Sequence, residues 1–155
     1  MNAAQFSKMR DRNIVAYADD MVRIGTWGQA DAPERAREEV DRLLPGGLGS
    51  PGHHLMAILS DEGTDVGAVW FGVEPTPTGE AGFIHWLEVF APYRRRGYAK
   101  AALAEVEEFL IEKGVRRLGV SLFSHATAAV ALYEHSGYQP VSFNFEKRLA
   151  PPAHY

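Results

Sequence analysis

The segment from residue 83 to residue 114 constrains the fold more than any other part of this sequence. Residues 83–90 form an apolar run of strand-like composition, and an arginine-rich turn follows it. Residues 97–113 then carry apolar side chains at helical spacing, and Gly114 is suited to end that helix. The apolar stripe contains Ala99, Ala102, Leu103, Val106, Phe109 and Leu110. A strand, a turn and an amphipathic helix in succession predict a helix that covers a sheet.

Strands and helices also follow one another along the rest of the chain. The other predicted helices cover residues 5–24, 31–44 and 127–135. The other predicted strands cover residues 54–59, 66–73, 115–123 and 144–149, with residues 138–141 extended. Pro and Gly predict loops at residues 45–52 and 74–82. Hairpins that give way to alternating helices and strands indicate an α/β fold with a mixed sheet.

The composition excludes several kinds of site. The chain has 155 residues and a net charge of −4, so it lacks the broad basic surface that holds nucleic acid or an anionic membrane. It contains no cysteine, which excludes disulfides, thiolate metal sites and cysteine nucleophiles. His53 and His54 have no partner at metal-ligand spacing, so we expect no metal. Residues 1–10 lack a signal-peptide pattern, and we expect a cytoplasmic protein.

The turn before the helix at residues 97–113 has the composition of an anion site. Backbone N–H groups at a helix start lack intrahelical partners and carry partial positive charge. Gly97 lets a ligand approach the backbone, and Ala99 keeps that approach open. The basic side chains at this place are Arg94, Arg95, Arg96 and Lys100. Local sequence predicts either a phosphate cradle or an ordinary solvated basic turn, and does not separate the two.

Two motifs in this order resemble the GCN5-related N-acetyltransferase (GNAT) superfamily. Arg94-x-x-Gly97-x-Ala99 matches the superfamily's Gln/Arg-x-x-Gly-x-Gly/Ala signature. Residues 129–138 look like its Ala-x-x-Leu-Tyr-x-x-x-Gly-Phe/Tyr segment, with one helix and one strand between the two motifs. The resemblance covers residues 53–149. Two departures are clear, because the usual first strand is missing and Ala126 replaces an Asn that commonly contacts the cofactor.

The resemblance implies a fold and a division of the chain. The expected architecture is the GNAT fold, a mixed and mostly antiparallel sheet flanked by helices and splayed between its two central strands, at residues 83–90 and 115–123. Residues 1–155 are expected to form a single domain. In it, residues 1–50 form the helical acceptor side, and residues 53–149 form the core sheet and cofactor site.

The same resemblance implies the activity. An acetyl group would pass from acetyl-CoA to the primary amine of a small molecule or peptide by direct attack, and a homodimer is compatible with the family. The alternative is a catalytically silent module that binds acetyl-CoA as a sensor or scaffold. The residues implied in cofactor binding are Leu87, Glu88, Val89, Arg94, Arg95, Arg96, Gly97, Tyr98, Ala99, Lys100 and His125.

Catalysis needs a proton donor for the leaving thiolate and a base for the amine. Tyr133 matches the GNAT tyrosine that serves as the donor. In several members of the family that the chain resembles, the base lies on this strand, an even number of residues before the equivalent of Val89, which implies His85 as the first candidate. Strand alternation would place His85 on the same face as Leu87 and Val89, and a histidine suits proton removal at neutral pH. Glu88 has the opposite parity and is the second candidate, because a β-bulge could redirect it. Ordered water is a third, and core roles for Tyr133 and His85 remain open.

Overall fold

A computed structural model describes residues 1–151, so residues 152–155 of the expected domain lie outside it. The first two helices, α1 (Ala3–Arg23) and α2 (Ala32–Leu43), agree with the predicted pair. α1 begins with a capping box, in which Asn2 and Gln5 exchange side-chain-to-backbone hydrogen bonds of 2.8 Å. Asp31 precedes α2 at the N-cap position, but its carboxylate caps no backbone N–H and accepts a 2.7 Å hydrogen bond from Nε of Arg35 instead.

Four strands form one sheet in the order β1-β2-β3-β4. β1 pairs with β2 and β2 with β3 in antiparallel fashion, whereas β3 and β4 are parallel. The strands are β1 (His53–Leu59), β2 (Asp65–Thr76), β3 (Gly79–Val89) and β4 (Leu118–Val120). The predicted loop at residues 74–82 is wrong, because β2 and β3 continue their ladder to a tight turn between Thr76 and Gly79. The mixed sheet itself is confirmed.

Helices cover both faces of this sheet. α3 (Tyr98–Glu112) and α4 (Thr127–His135) lie on one face, and α1 and α2 lie on the other. Trp70 and Phe71 are adjacent in β2 and fully buried, with Trp70 against α1 and α2 and Phe71 against α3. Because successive side chains of a strand point to opposite faces, β2 supplies the centre of both hydrophobic cores.

The sheet splays between β3 and β4, as the family resemblance predicted. The parallel ladder joins only residues 82–84 of β3 to residues 118–120 of β4. β3 continues to Val89, and among residues 1–151 that part pairs with β2 alone. β4 is also shorter than the predicted strand at residues 115–123. One edge of β3 is therefore open from His85 to Val89.

The end of the chain departs from the prediction. Residues 139–151 form no regular secondary structure, so the predicted strand at 144–149 is wrong for the single chain, and residues 138–141, predicted to be extended, join no strand ladder. A strand needs a neighbour for its backbone N–H and C=O groups, and no described residue of the same chain provides one. None of the described helices is long and apolar enough to cross a membrane.

Candidate active site

The turn after β3 presents backbone donors at the start of α3. Gly97 has φ +83° and precedes the helix, and no side chain caps the first helical turn. Arg95 has φ +62°, in the left-handed region that a non-glycine residue rarely adopts. A Cβ built on Gly97 would meet no atom within 4 Å, so the approach to these N–H groups is open. Uncapped N–H groups beside positive-φ residues suit a phosphate group.

The basic side chains of this turn have different contacts. Arg94 folds back, and its Nε donates a 2.9 Å hydrogen bond to the carbonyl of Val89 at the end of β3. Arg96 lies over the ring of Tyr93, 6.0 Å from its centroid. Arg95 and Lys100 are exposed at the mouth of the turn. Arg94 therefore shapes the turn, and three cations remain available to an anionic ligand.

Two further predicted residues frame the same region. Tyr98 packs with Ile58 and Val66 in a small apolar cluster that anchors the start of α3. Leu87 lies on the α3 face of β3, in contact with the core cluster that holds Val69 and Tyr133. The free backbone edge of β3 leads towards the turn at Gly97. An open backbone edge therefore runs into a turn whose N–H groups are uncapped.

A β-bulge changes which side chains share a face of β3. Trp70 pairs with Trp86, whereas the next residue of β2, Phe71, pairs with Ile84, so His85 is an extra residue. The prediction that His85 shares a face with Leu87 and Val89 is therefore wrong. A bulge adds one residue to one strand, which reverses the alternation beyond it. His85 lies on the α1 and α2 face instead.

His85 belongs to a cluster of aromatic rings on that face. Its ring stacks on Trp70 with centroids 4.6 Å apart, and it lies 5.4 Å from the ring of His53. Trp70 donates a 3.0 Å hydrogen bond from Nε1 to Nδ1 of His53. Burial, and then the nearby His53, lower the pKa of His85 to about 4. The imidazole is therefore neutral at pH 7, and no described side chain hydrogen-bonds to it.

Glu88 lies on the α1 side of β3 and is held by Arg12 of α1. Nε of Arg12 donates to both carboxylate oxygens of Glu88, at 2.8 and 3.0 Å. The guanidinium also lies over the ring of Phe90, 4.9 Å from its centroid. The Glu88 side chain is only 14% exposed. This two-point pair attaches the first helix to the end of β3.

Tyr133 and His125 lie near the other side of the splay. Tyr133 is 5% exposed and its ring meets Tyr138 edge-on, with centroids 5.1 Å apart. Burial raises the pKa of its hydroxyl to about 12, so it stays protonated at neutral pH. His125 stacks on Phe123, and its Nε2 lies 2.7 Å from Oδ1 of Asp20 in α1. The predicted cofactor residue His125 therefore joins α1 to the loop before α4.

A sequence model of the acetyltransferase (GNAT) family matches residues 15–138. The chain belongs to this family. It is 36% identical over 149 residues to YycN of Bacillus subtilis, described as an uncharacterised N-acetyltransferase, with 96% of each chain covered. YdgE of the same organism, described in the same words, is 28% identical over 96% of this chain and 95% of YdgE.

Solved structures of similar proteins support the same family assignment. The crystal structure of YycN superposes with a TM-score of 0.90 at 34% identity, over 97% of this chain and 96% of that one. A ribosomal-protein-alanine N-acetyltransferase from Brucella melitensis shares the fold, with a TM-score of 0.59 at 20% identity and 90% of each chain covered. This GNAT protein is thus an acyltransferase. Its described residues contain no group of three metal-ligating side chains.

Sequence reasoning missed the side chains that contact the two candidate bases, His85 and Glu88. The sequence pattern gives Arg12, the partner of Glu88, no role, and it predicts for His53 a place on a loop surface or in the cleft wall rather than a contact with His85. The pairing of His53 with Gly72, two residues beyond Trp70 on the same face of β2, brings this histidine to His85. The only sequence signal was the alternation in β1, which puts His53 and Leu55 on one face.

Proposed function

We propose that this protein transfers the acetyl group of acetyl-CoA to a primary amine. The observation that carries the proposal is the continuity between the free edge of β3 and the uncapped start of α3. The backbone of Leu87, Glu88 and Val89 would pair with the pantetheine arm as an added strand does. The N–H groups at residues 95–100, with Arg95, Arg96 and Lys100, would hold the pyrophosphate.

The proposed roles divide proton transfer between two residues. Acetyl-CoA supplies the acyl thioester when it is bound. The neutral imidazole of His85 takes the proton that the amine loses as its nitrogen bonds to the acyl carbon. The Tyr133 hydroxyl donates a hydrogen bond to the sulfur as the C–S bond breaks, and the proton that the sulfur needs passes through it. Exchange with water then restores both residues.

The pKa values define how each residue would act. A hydroxyl with a pKa of about 12 is always protonated at neutral pH, so Tyr133 is permanently ready to donate. An ordinary thiol has a pKa near ~8.5, so the hydrogen bond matters more than full loss of the tyrosine proton. His85 is always ready to accept, although a pKa of about 4 makes it a weak base. Weak basicity favours transfer that is concerted with bond formation, directly or through water.

The structure favours His85 over Glu88 as the base. The Glu88 carboxylate already accepts hydrogen bonds from Nε and Nη2 of Arg12, whereas no described side chain hydrogen-bonds to the His85 imidazole. His85 also lies on the α1 and α2 face, which is the proposed acceptor side. The amine would therefore approach from the face of His53 and Trp70.

The binding step is tested with two glycines of equal geometry. Gly97 and Gly114 both have φ +83°, both have free space around a built Cβ, and they flank opposite ends of α3. We expect Gly97→Glu to weaken acetyl-CoA binding more than roughly 100-fold in calorimetry, because a like charge near ~4 Å costs about 4 kcal/mol. Gly114→Glu should bind as the wild type does. Equal affinities of the two folded variants would refute the placement.

The transfer step is tested by thiol release from acetyl-CoA over a panel of peptides, polyamines and small amines. The chain has no cysteine, so every thiol detected comes from the cofactor. Turnover with at least one acceptor supports the proposal. Tight acetyl-CoA binding without turnover on any amine would instead support the silent binding module.

A further inference from the structure

Two histidine rings converge over Gly72 on the α1 and α2 face of the sheet. A Cβ built on Gly72 would lie 3.2 Å from Nδ1 of His53 and 3.3 Å from Nε2 of His85. Contacts this short are tighter than side chains ordinarily make, so even an alanine here would push the rings apart. The glycine therefore lets the two imidazoles approach to a centroid distance of 5.4 Å. The proposed base is thus one member of a pair of histidines.

The indole of Trp70 fixes the hydrogen of His53 on one ring nitrogen. Nε1 of Trp70 donates a 3.0 Å hydrogen bond to Nδ1 of His53. An indole N–H can only donate, so Nδ1 carries the lone pair and the neutral ring carries its hydrogen on Nε2. Burial lowers the pKa of His53, although the charge of Glu74 opposes the shift, and the ring is neutral at pH 7. His53 is therefore a hydrogen-bond donor at Nε2, whereas neutral His85 keeps one nitrogen as an acceptor.

Both rings have a nitrogen that a ligand can reach. Among residues 1–151, no side chain hydrogen-bonds to Nε2 of His53 or to the ring nitrogens of His85. Neither histidine is among the described residues whose side-chain polar atoms are buried without a partner. These nitrogens are therefore open to solvent. A donor and an acceptor stand next to each other on the proposed acceptor side, and both are available to one small group.

We propose that His53 recognises the acceptor by donating a hydrogen bond from Nε2 to a neutral carbonyl group bonded to the carbon that carries the amine. This inference rests on the proposed function, in which the amine meets His85. The nitrogen and the oxygen of an α-amino carbonyl group lie about 3 Å apart, so one acceptor can contact both rings at once. The acceptor class is then an amino-acid amide or the N-terminus of a peptide, rather than a simple alkylamine or a polyamine.

The surroundings of the two rings favour a neutral carbonyl over a free carboxylate. Glu74 lies two residues beyond Gly72 on the same face of β2, and its charge acts on His53. A carboxylate on the acceptor would be repelled by Glu74, whereas an uncharged amide would not. The neighbouring wall is aromatic, with Phe83 edge-on to the ring of His85 at a centroid distance of 5.0 Å. An uncharged group with one oxygen acceptor suits this wall and its single fixed donor.

The preference is tested with two amines of the same shape. Alaninamide has the carbonyl, and 3-methylbutan-2-amine has methyl groups in place of the carbonyl oxygen and the amide nitrogen. The measured quantity is the ratio of their kcat/KM values with saturating acetyl-CoA, and the amine pKa values cancel when this ratio is compared between variants. We expect His53→Leu to lower the ratio about 10-fold, chiefly through the KM of alaninamide, because one neutral hydrogen bond is lost.

His54→Leu is the matched control for this measurement. His54 stacks on Phe71 on the opposite face of the sheet, so its replacement should leave the ratio of the two amines within about twofold. Circular dichroism checks that both variants are folded. An unchanged ratio in His53→Leu, or an equal change in His54→Leu, would overturn the inference.

The hydrogen bond is tested without turnover by ¹⁵N NMR of the histidine rings. We expect neutral His53 at pH 7 to carry its hydrogen on Nε2, in a resonance that is identified by its loss in His53→Leu. Alaninamide should shift this resonance more than 3-methylbutan-2-amine does at the same concentration. A hydrogen on Nδ1, or equal shifts by the two amines, would overturn the inference. Failure to acetylate any amine would contradict the proposed function instead, and the NMR result would still decide the role of His53.

Discussion

The two faces of β3 hold different kinds of groups. On the α3 side, the candidate cofactor site consists of backbone edge, backbone N–H groups and exposed cations. On the α1 and α2 side, the candidate acceptor site consists of side chains from three strands and a helix, such as His53, Trp70, His85 and the Arg12–Glu88 pair. A site lined by backbone groups is set by the fold, so all members of a family can hold the same cofactor there. A site made of side chains can differ in every member.

The sharpest test of this comparison is a pair of histidine variants on opposite faces. We expect His85→Gln to lower kcat by roughly 10²–10⁴, the usual contribution of one general base, with little change in acetyl-CoA affinity. His54→Gln is the control, because His54 stacks on Phe71 and lies against Phe109 on the α3 side. Steady-state kinetics with a saturating amine measure both. Equal losses in both variants would contradict a base at His85.

The pH dependence sharpens the same test. A pKa of about 4 keeps His85 in its base form above about pH 5, and the base form is lost only as the pH falls through 4. The ratio of wild-type to His85→Gln rates should therefore stay constant from pH 8 to pH 5, and protonation of the amine cancels in that ratio. A ratio that falls near pH 6.5 would show an unshifted histidine.

The donor on the α3 side should give a smaller effect. We expect Tyr133→Phe to lower kcat by roughly 10²-fold and to leave the pH dependence of the His85 ratio unchanged. Tyr138→Phe is the matched control, because Tyr138 is the edge-on neighbour of Tyr133 in the same cluster. If Tyr133→Phe keeps the full rate, then the tyrosine serves only as a core aromatic residue.

The smallest effect concerns stability rather than rate. We expect a double-mutant cycle of Arg12→Met and Glu88→Gln to give a coupling of about 1–2 kcal/mol in urea unfolding, because the pair is charge-assisted and Glu88 is largely buried. The pair of Arg10 and Asp41 is the control, since Asp41 is 56% exposed and its coupling should be smaller. Turnover by Glu88→Gln should stay within about threefold of the wild type. A loss as large as that of His85→Gln would return the role of base to Glu88.

The sequence by itself determined the helix and the turn that form the candidate cofactor site. α3, its Gly97 start and the arginine-rich turn were predicted within one or two residues, because helical periodicity and turn chemistry depend on neighbours in the chain. The motif around Tyr133 was readable for the same reason. The splay followed from the family resemblance, and the short ladder between β3 and β4 confirmed it.

Only the tertiary structure decided which side chains meet His85. The bulge opposite Trp70 and Phe71 moved His85 away from the face of Leu87, and single-strand alternation cannot reveal an extra residue that the pairing of two strands defines. The segment at residues 139–151 makes the same point. Its alternation from Val141 to Leu149 is strand-like in sequence, yet a strand forms only where a neighbour supplies the other half of the ladder. Local pattern fixes what a segment is able to form, and contacts distant in sequence decide what it does form.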